Sequence, residues 1–519
     1  MIKKFFLTLL FTFFCASILA FSIRGIGGNP TSKSLNQQSW KEFGPFELSP
    51  ERGRFALTYS LVEDKSFSFS IPLAAFVIPD LGFINGKYVS LFAPGVSYLV
   101  MPGYWLGSYF GISQVGTYAV ISLFALSNVL LIRVIAMRLG ASLLASTIAS
   151  IIFIFATPAF PYAVSLYQHH ISTFLILSSI YILVRFSGLW PLLLIWGLCA
   201  ASVPIDYPNL FLMFPIGLYA LGRFIYVENE ENKIKINLKL LGFVTFITAL
   251  IPLTFFLLFN KMSYGNSLQF SGTVPSVLAI DAEGKPSVPA QNGIEDIEKY
   301  TDPQTQNKSA LQFFKTRNML LGLNTHFLSP DRGIIIYTPV ILFGILGIFV
   351  LYKKQRNFIV LLLSIICLDV ILYSMWGDPW GGWAFGSRYL IPSYAIMSIF
   401  IAFALSSLRR NNLFLIMFFI VASYSLGVNT LGAVTTNRIP PKPEILFLEK
   451  ISNTEQKYTF MRNVTDLNQN KVKSFAFQAF YKKNISAWQY YRMIVTSLIF
   501  VLALMLWYYR FFSKDNIDD

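Results

Sequence analysis

Apolar runs long enough to cross a bilayer recur along most of the chain, separated by short basic loops and by three long polar segments. They fall at 1–23, 115–137, 141–160, 171–186, 189–203, 210–226, 240–259, 334–352, 358–375, 390–407, 413–431 and 493–509. A helix needs about 17–25 apolar residues to span hydrocarbon, and the shorter runs require neighbours or a thinned bilayer. The pattern predicts an all-α polytopic membrane protein of about twelve transmembrane helices. The first run has signal-peptide character after Lys3 and Lys4, yet it lacks a small-residue cleavage site and reads as a retained helix.

The stretch 90–110 is also apolar, but Pro94, Pro102 and several glycines interrupt it, which predicts a juxtamembrane segment. With that segment kept out of the count, every short basic loop falls on one side. Lys3, Lys4, Arg133, Arg138, Arg185, Arg223, Lys233, Lys235, Lys353, Lys354, Arg356, Arg409, Arg410, Arg510 and Lys514 all share it, and that side is assigned to the cytoplasm. The chain then divides into a first transmembrane helix (1–23), an extracytoplasmic loop with short juxtamembrane helices (24–114) and a bundle (115–259). A second extracytoplasmic loop (260–333), a second bundle (334–431), a third loop (432–492), and a last helix with a cytoplasmic tail (493–519) complete it. Asn-X-Ser/Thr triplets at Asn307, Asn463 and Asn484 all lie in these outer loops.

Composition agrees with lipid as solvent: of 519 residues, 55% are hydrophobic and only 13% charged. The net charge of +15 would suit nucleic acid, but the basic residues follow the topology and no nucleic-acid motif accompanies them. Cys15, Cys199 and Cys367 sit inside apolar runs, and there are three histidines. Neither a disulfide framework nor a metal site is indicated.

Candidate chemistry gathers at the outer ends of the apolar runs. Ser49-Pro50-Glu51 is a helix start, and 51–63 is predicted to be a short amphipathic helix lying on the membrane. Glu51 beside Arg52 and Arg54 offers a base next to cations able to hold phosphate. Asp80 precedes an Asn85-Gly86 turn; a sharper reading brings Asp80 and Lys87 together across it, with Tyr88 adjacent. Tyr167-Gln168-His169-His170 and Asp206-Tyr207 close further outer ends, where ionisable groups mark substrate sites. Between Trp380 and Tyr389, Trp383 offers a face for a sugar ring and Arg388 a partner for an anion.

Arg54-Phe55-Ala56-Leu57 followed by Asn85-Gly86-Lys87-Tyr88-Val89-Ser90-Leu91-Phe92-Ala93-Pro94-Gly95 resembles the first outer loop of C-superfamily, lipid-dependent glycosyltransferases. That group includes the protein O-mannosyltransferases and the lipid A aminoarabinose transferases. Asp206-Tyr207-Pro208, Ser329-Pro330-Asp331-Arg332-Gly333 before Tyr337-Thr338-Pro339, and Gly386-Ser387-Arg388-Tyr389-Leu390-Ile391-Pro392 resemble later stretches of its bacterial and archaeal members. The likeness ends near Pro392. The group commonly uses an Asp in its first loop as catalytic carboxylate, where this chain has Glu51, with Asp80 as the alternative. It often has a Lys two residues before the loop's proline, where this chain has Phe92.

The resemblance implies transfer of a sugar from a polyprenyl-phosphate donor to an acceptor hydroxyl, outside the cytoplasm and with inversion. Glu51 or Asp80 would be the base, while Arg52, Arg54, Lys87 and Arg388 would hold the donor phosphate. Tyr88, Tyr167, Gln168, His169, His170, Asp206, Tyr207 and Trp383 would contact substrate. No cofactor is implied beyond the lipid-linked sugar, and the acceptor is a protein, a lipid or a glycan. The competing classes are a lipid or polysaccharide flippase or transporter, which predicts inverted repeats and mid-helix charge, and a polysaccharide polymerase or ligase. No internal repeat is visible, and Asp369 is the main charge within a predicted span.

Overall fold

The computed structural model describes residues 2–230, 233–287, 313–452, 455 and 457–512. All twelve predicted runs are helical, though not equally long. Six helices have the length and apolar character to cross a membrane: Ser113–Arg138, Leu241–Tyr264, Arg356–Ser374, Arg388–Leu408, Asn412–Val434 and Ala487–Phe511. The other runs give shorter apolar helices, Leu7–Ser22, Leu143–Phe155, His169–Arg185, Leu192–Ser202, Asn209–Leu221 and Pro339–Tyr352. Pro158 follows the end at Phe155, and the Thr338-Pro339 step divides the run at 334–352, as expected where a ring nitrogen cannot donate to the preceding turn. The chain is a multi-pass integral membrane protein.

Helix Ile391–Leu408 is the centre of the bundle, buried along nearly its whole length between Leu143–Phe155, Gly344–Tyr352 and Ser113–Arg138. Helix Leu241–Tyr264 is peripheral, with Leu250, Ile251, Phe255 and Leu258 exposed. Met101–Tyr109, within the predicted juxtamembrane segment, lies directly on Ser113–Arg138. The two backbones touch there, since a Cβ on Gly116 would stand 2.0 Å from the Gly103 carbonyl oxygen.

Two expectations are corrected. The chain is not purely helical: Ile225–Glu230 pairs antiparallel with Lys233–Leu238, and Leu81–Ile84 lies between Lys87–Ser90 and Ser276–Val277. The residues of that first hairpin, 225 and 226, were assigned to a span. Second, the helix at 49–62 does not expose an apolar side. Glu51 and Gly53 through Thr58 are buried, because the helix is wrapped by Ile71–Val77 and Gly95–Leu99.

The three long polar segments pack on one another. Strand Leu81–Ile84 pairs with Ser276–Val277 of the second segment. Arg24 is fully buried and ion-paired to Glu47 at 2.9 Å, and it also donates to the Gly432 carbonyl and to Asn437 Oδ1. Arg332, equally buried, donates to the carbonyls of Trp380, Gly382 and Ile439. At the other end of the bundle Arg133 donates to Thr8 and Thr147, and Arg510 to Asn412. The side chains of Lys3, Lys4, Lys233, Lys235 and Lys514, and the Asn307 triplet, lie outside the described residues. Asn463 is fully buried and donates to Thr435 and Thr436, so it is no glycosylation acceptor in the folded chain; Asn484 is exposed.

Candidate active site

A cavity of about 910 Å3 opens where the first and second polar segments meet the bundle. Its volume is in the range of small-molecule sites, about 300–1,000 Å3. Most of the wall is apolar: Ala200, Leu210, Phe211, Leu253, Phe256, Leu268, Phe270 and Trp376 contribute to it. Several of these are also exposed, Leu210, Phe211 and Leu253 on the bundle and Leu268 on the second polar segment. The cavity is therefore open along its apolar wall.

Its polar end is built from four stretches of chain. Arg54 comes from the 49–62 helix and sends Nη2 to Gln168 Oε1 at 2.6 Å. The Gln168 amide donates in turn to Asp206 Oδ2 at 3.0 Å. Arg388 enters from the fourth stretch. Gly386 (φ +59) lies so close to Pro158 that a Cβ would sit 2.8 Å from its ring, and only glycine adopts that backbone without strain. Tyr162 accepts from the Phe385 amide, and Ser387 is held by His326 Nδ1 and the Arg332 carbonyl. Those contacts fix the segment and aim the Arg388 side chain inward.

Both guanidiniums meet at Tyr167. The Arg388 Cζ is 4.9 Å from its ring centroid and the Arg54 Cζ 5.5 Å. Tyr389 and Tyr162 complete a cage around Arg388, and Phe92 covers Arg54. Aromatic faces tolerate a buried cation but do not use up its N–H donors. Arg54 Nε and Arg388 Nε and Nη1 are buried without hydrogen-bond partners. No carboxylate lies within ion-pair distance of either arginine among the described residues. Burial moves the Arg54 pKa down to about 10, countered by Asp206 and Tyr167, so it stays charged at neutral pH. Burial also raises Asp206, while Gln168, Arg54 and Arg388 pull it back.

The sequence-predicted residues separate into two groups. Arg54, Tyr167, Gln168, Asp206, Tyr207 and Arg388 line the cavity. His169 backs it, stacked 5.9 Å behind Tyr167 with its Nε2 unpartnered. Several others lie elsewhere. Glu51 accepts from the amides of Glu47 and Leu48, capping its own helix, and faces Tyr118 rather than the cavity. With no shell of water, burial pushes its pKa up to about 7. Asp80 accepts from Ser49 Oγ. Lys87 is exposed and pairs with Ile84 at the tip of the hairpin, so the expected meeting with Asp80 at the far end of the strand does not occur. Tyr88 turns away to the Gly284 carbonyl. His170 is a core residue, bound to the Ala159 carbonyl and facing Asn128. Trp383 and Arg52 belong to another face, described below.

Sequence reasoning did not single out Tyr373, which stacks on Tyr389 with centroids 4.3 Å apart, or Asn260, whose Oδ1 is buried and unpartnered. Both line the cavity, but Tyr373 sits inside an apolar run and Asn260 directly after one, where a lone polar residue carries little signal. Among the described residues no group of three or more His, Cys, Asp and Glu side chains converges to hold a metal.

No protein-family model matches the chain, and no curated protein matches it. Among solved structures it is similar to the crystal structure of ArnT from Cupriavidus metallidurans in the apo state. The two share 10% sequence identity, with a TM-score of 0.45 over 98% of this chain and 78% of that one.

Proposed function

We propose that the protein is a membrane glycosyltransferase that takes a sugar from a polyprenyl-phosphate donor and passes it to an acceptor hydroxyl, on the extracytoplasmic side and with inversion. The observation that carries this reading is the pair of buried arginines, with three unpartnered guanidinium nitrogens, at the polar end of a cavity otherwise walled by hydrocarbon. An apolar wall open to lipid suits the isoprenoid chain. A dry site with two fixed cations suits a phosphate whose charge grows as the glycosidic bond breaks. The order of motifs resembling lipid-dependent glycosyltransferases points the same way.

In this mechanism Asp206 is the base. It takes the proton of the acceptor hydroxyl; that oxygen attacks the anomeric carbon from the face opposite the phosphate. The carbon–oxygen bond to phosphate breaks, and its electron pair stays on the phosphate, held by Arg54 and Arg388. A carboxylate raised by burial is a stronger base than one in water, and a positioned base contributes about 10²–10⁴-fold. Gln168 holds Asp206 and Arg54 in register. Asp369, the charge within a span, accepts from Ser393 inside the bundle and stands apart from the cavity, which gives no support to an ion-coupled pathway.

The test is transfer from a radiolabelled polyprenyl-phosphate sugar by the full chain in nanodiscs, with a membrane extract as acceptor. Asp206→Asn is expected to lower turnover by at least about 100-fold, and Arg388→Gln to do the same. Asp80→Asn and Glu51→Gln should retain most of it. Loss confined to Asp80→Asn or Glu51→Gln would move the base; a wild-type protein that consumes no lipid-linked sugar ends the proposal.

A further inference from the structure

A second cationic face lies outside the cavity. Arg52 and Arg54 are two residues apart, roughly 200° around their helix at 3.6 residues per turn, so they point to opposite sides. Arg54 enters the cavity, whereas Arg52 donates Nη1 to the Phe76 carbonyl at 3.3 Å and feels Arg438 and Asp80 most among the charges around it. Arg438, exposed after the Asn412–Val434 helix, and Arg462, half-buried in the Met461–Asn468 helix, both rest on Trp383, at 4.9 Å and 5.4 Å from its ring. The Trp383 indole N–H donates to both oxygens of Glu444, at 3.0 and 2.9 Å, which fixes the ring.

Arg438 repels both of the others. After burial it is the first influence lowering the pKa of Arg52, and it also lowers that of Arg462, where Asp466 opposes it. Among the described residues no carboxylate comes within ion-pair distance of any of them; Asp466 and Glu47 act on Arg462 only at longer range. Arg52 Nε is buried without a partner. Mutually repelling guanidiniums around an aromatic plate are stabilised when an anion arrives between them, and the planar fork favours phosphate or carboxylate.

We propose that this face binds an anionic saccharide, a sugar bearing phosphate or carboxylate, and that it is the acceptor's docking site. This rests on the transfer reached above. The anion sits among Arg52, Arg438 and Arg462, and an apolar sugar face lies along the exposed part of the Trp383 ring. The N-terminal turn of the 49–62 helix joins the two regions, with Pro50 lining the cavity and Arg52 belonging to this face.

The experiment uses the full chain in phosphatidylcholine nanodiscs, glucose 6-phosphate as probe and glucose as its uncharged control, followed by saturation-transfer NMR. Saturable binding of glucose 6-phosphate, absent for glucose, is expected. Arg438→Gln with Arg462→Gln should weaken it by at least about tenfold, while Arg54→Gln with Arg388→Gln should leave it in place. If the double variant misfolds, Arg438→Lys and Trp383→Leu, each checked for wild-type thermal stability, replace it, and Trp383→Leu should still lose the probe. Nanodiscs doped with phosphatidylinositol that compete with the probe place the source in the membrane; lack of competition places it in solution, and either supports the site. Equal binding of glucose, loss that follows the cavity variants, or displacement by poly-glutamate as readily as by sugar phosphate would overturn it. A wild-type protein that binds the probe here yet turns over no lipid-linked sugar defeats the transfer proposal alone. An unchanged acceptor KM in the Arg438→Gln, Arg462→Gln enzyme defeats this site alone.

Discussion

Glu51 shows how one side chain can look catalytic and be structural. A buried carboxylate with a pKa near 7 beside arginines has the profile of a base, but its Oε2 is spent on the amides of Glu47 and Leu48 and its Oε1 on the Tyr118 hydroxyl. The shift then governs stability. Glu51 rises from an ordinary 4.5 to about 7, so in that window the folded protein keeps a proton that the unfolded chain releases. Stability is greatest below the lower value and falls as pH rises through the upper one, by about 3 kcal/mol. Glu51→Gln keeps the acceptor for the amides and removes the titration. Its thermal midpoint in detergent should therefore lose part of the decline that the wild type shows between pH 5 and 8. An identical pH profile would show that the carboxyl does not titrate there. The sequence offered Glu51 and Asp80 as bases and Asp206 as a substrate contact, although all three stand at outer ends among aromatics and cations. What separates them is which way each points, and that depends on contacts 38 and 31 residues away, Gln168 to Asp206 and Ser49 to Asp80.

Among elements, the long apolar helices were the most legible, because period and length are local properties. The 49–62 helix was found with its start correct but its environment wrong: its apolar side was read as facing lipid, and neighbours from 71–77 and 95–99 cover it instead. The hairpin at 225–238 was missed because Ile225 and Tyr226 extend an apolar run whose helix already ends at Leu221. Met101–Tyr109 shows what glycine spacing encodes. Gly103 and Gly107 meet Gly116 so closely that no side chain fits at the crossing. Gly116→Val should destabilise the protein by about 1–3 kcal/mol through overpacking, and it should open the 101–109 segment to limited proteolysis. Unchanged cleavage and melting would show that the two helices do not depend on this contact.

For the whole molecule, the polar segments form one assembly, and Arg24 is its fastening. It joins Glu47 of the first segment to Gly432 and Asn437 of the third, while Lys473 adds carbonyls of Glu42 and Gly44. Breaking a buried ion pair by removing one partner costs about 3–5 kcal/mol. Arg24→Gln is expected to lower the thermal midpoint sharply, and Arg24→Gln with Glu47→Gln to recover part of the loss. A double variant as unstable as the sum of both singles would show that the pair is not coupled. None of this was visible beforehand, as nothing after residue 432 resembled a known pattern, and Arg24 was only the first residue of the outer loop.

The bond from Arg24 to Asn437 bridges 413 positions. A ribosome inserts the first helix long before the other half of that clasp has been made. Until then the Arg24 guanidinium can meet Glu47 but lacks its two partners in the third polar segment. Closure of the outer assembly is thus a late event in synthesis, and a product that stops short of residue 432 leaves two of that guanidinium's bonds unmade.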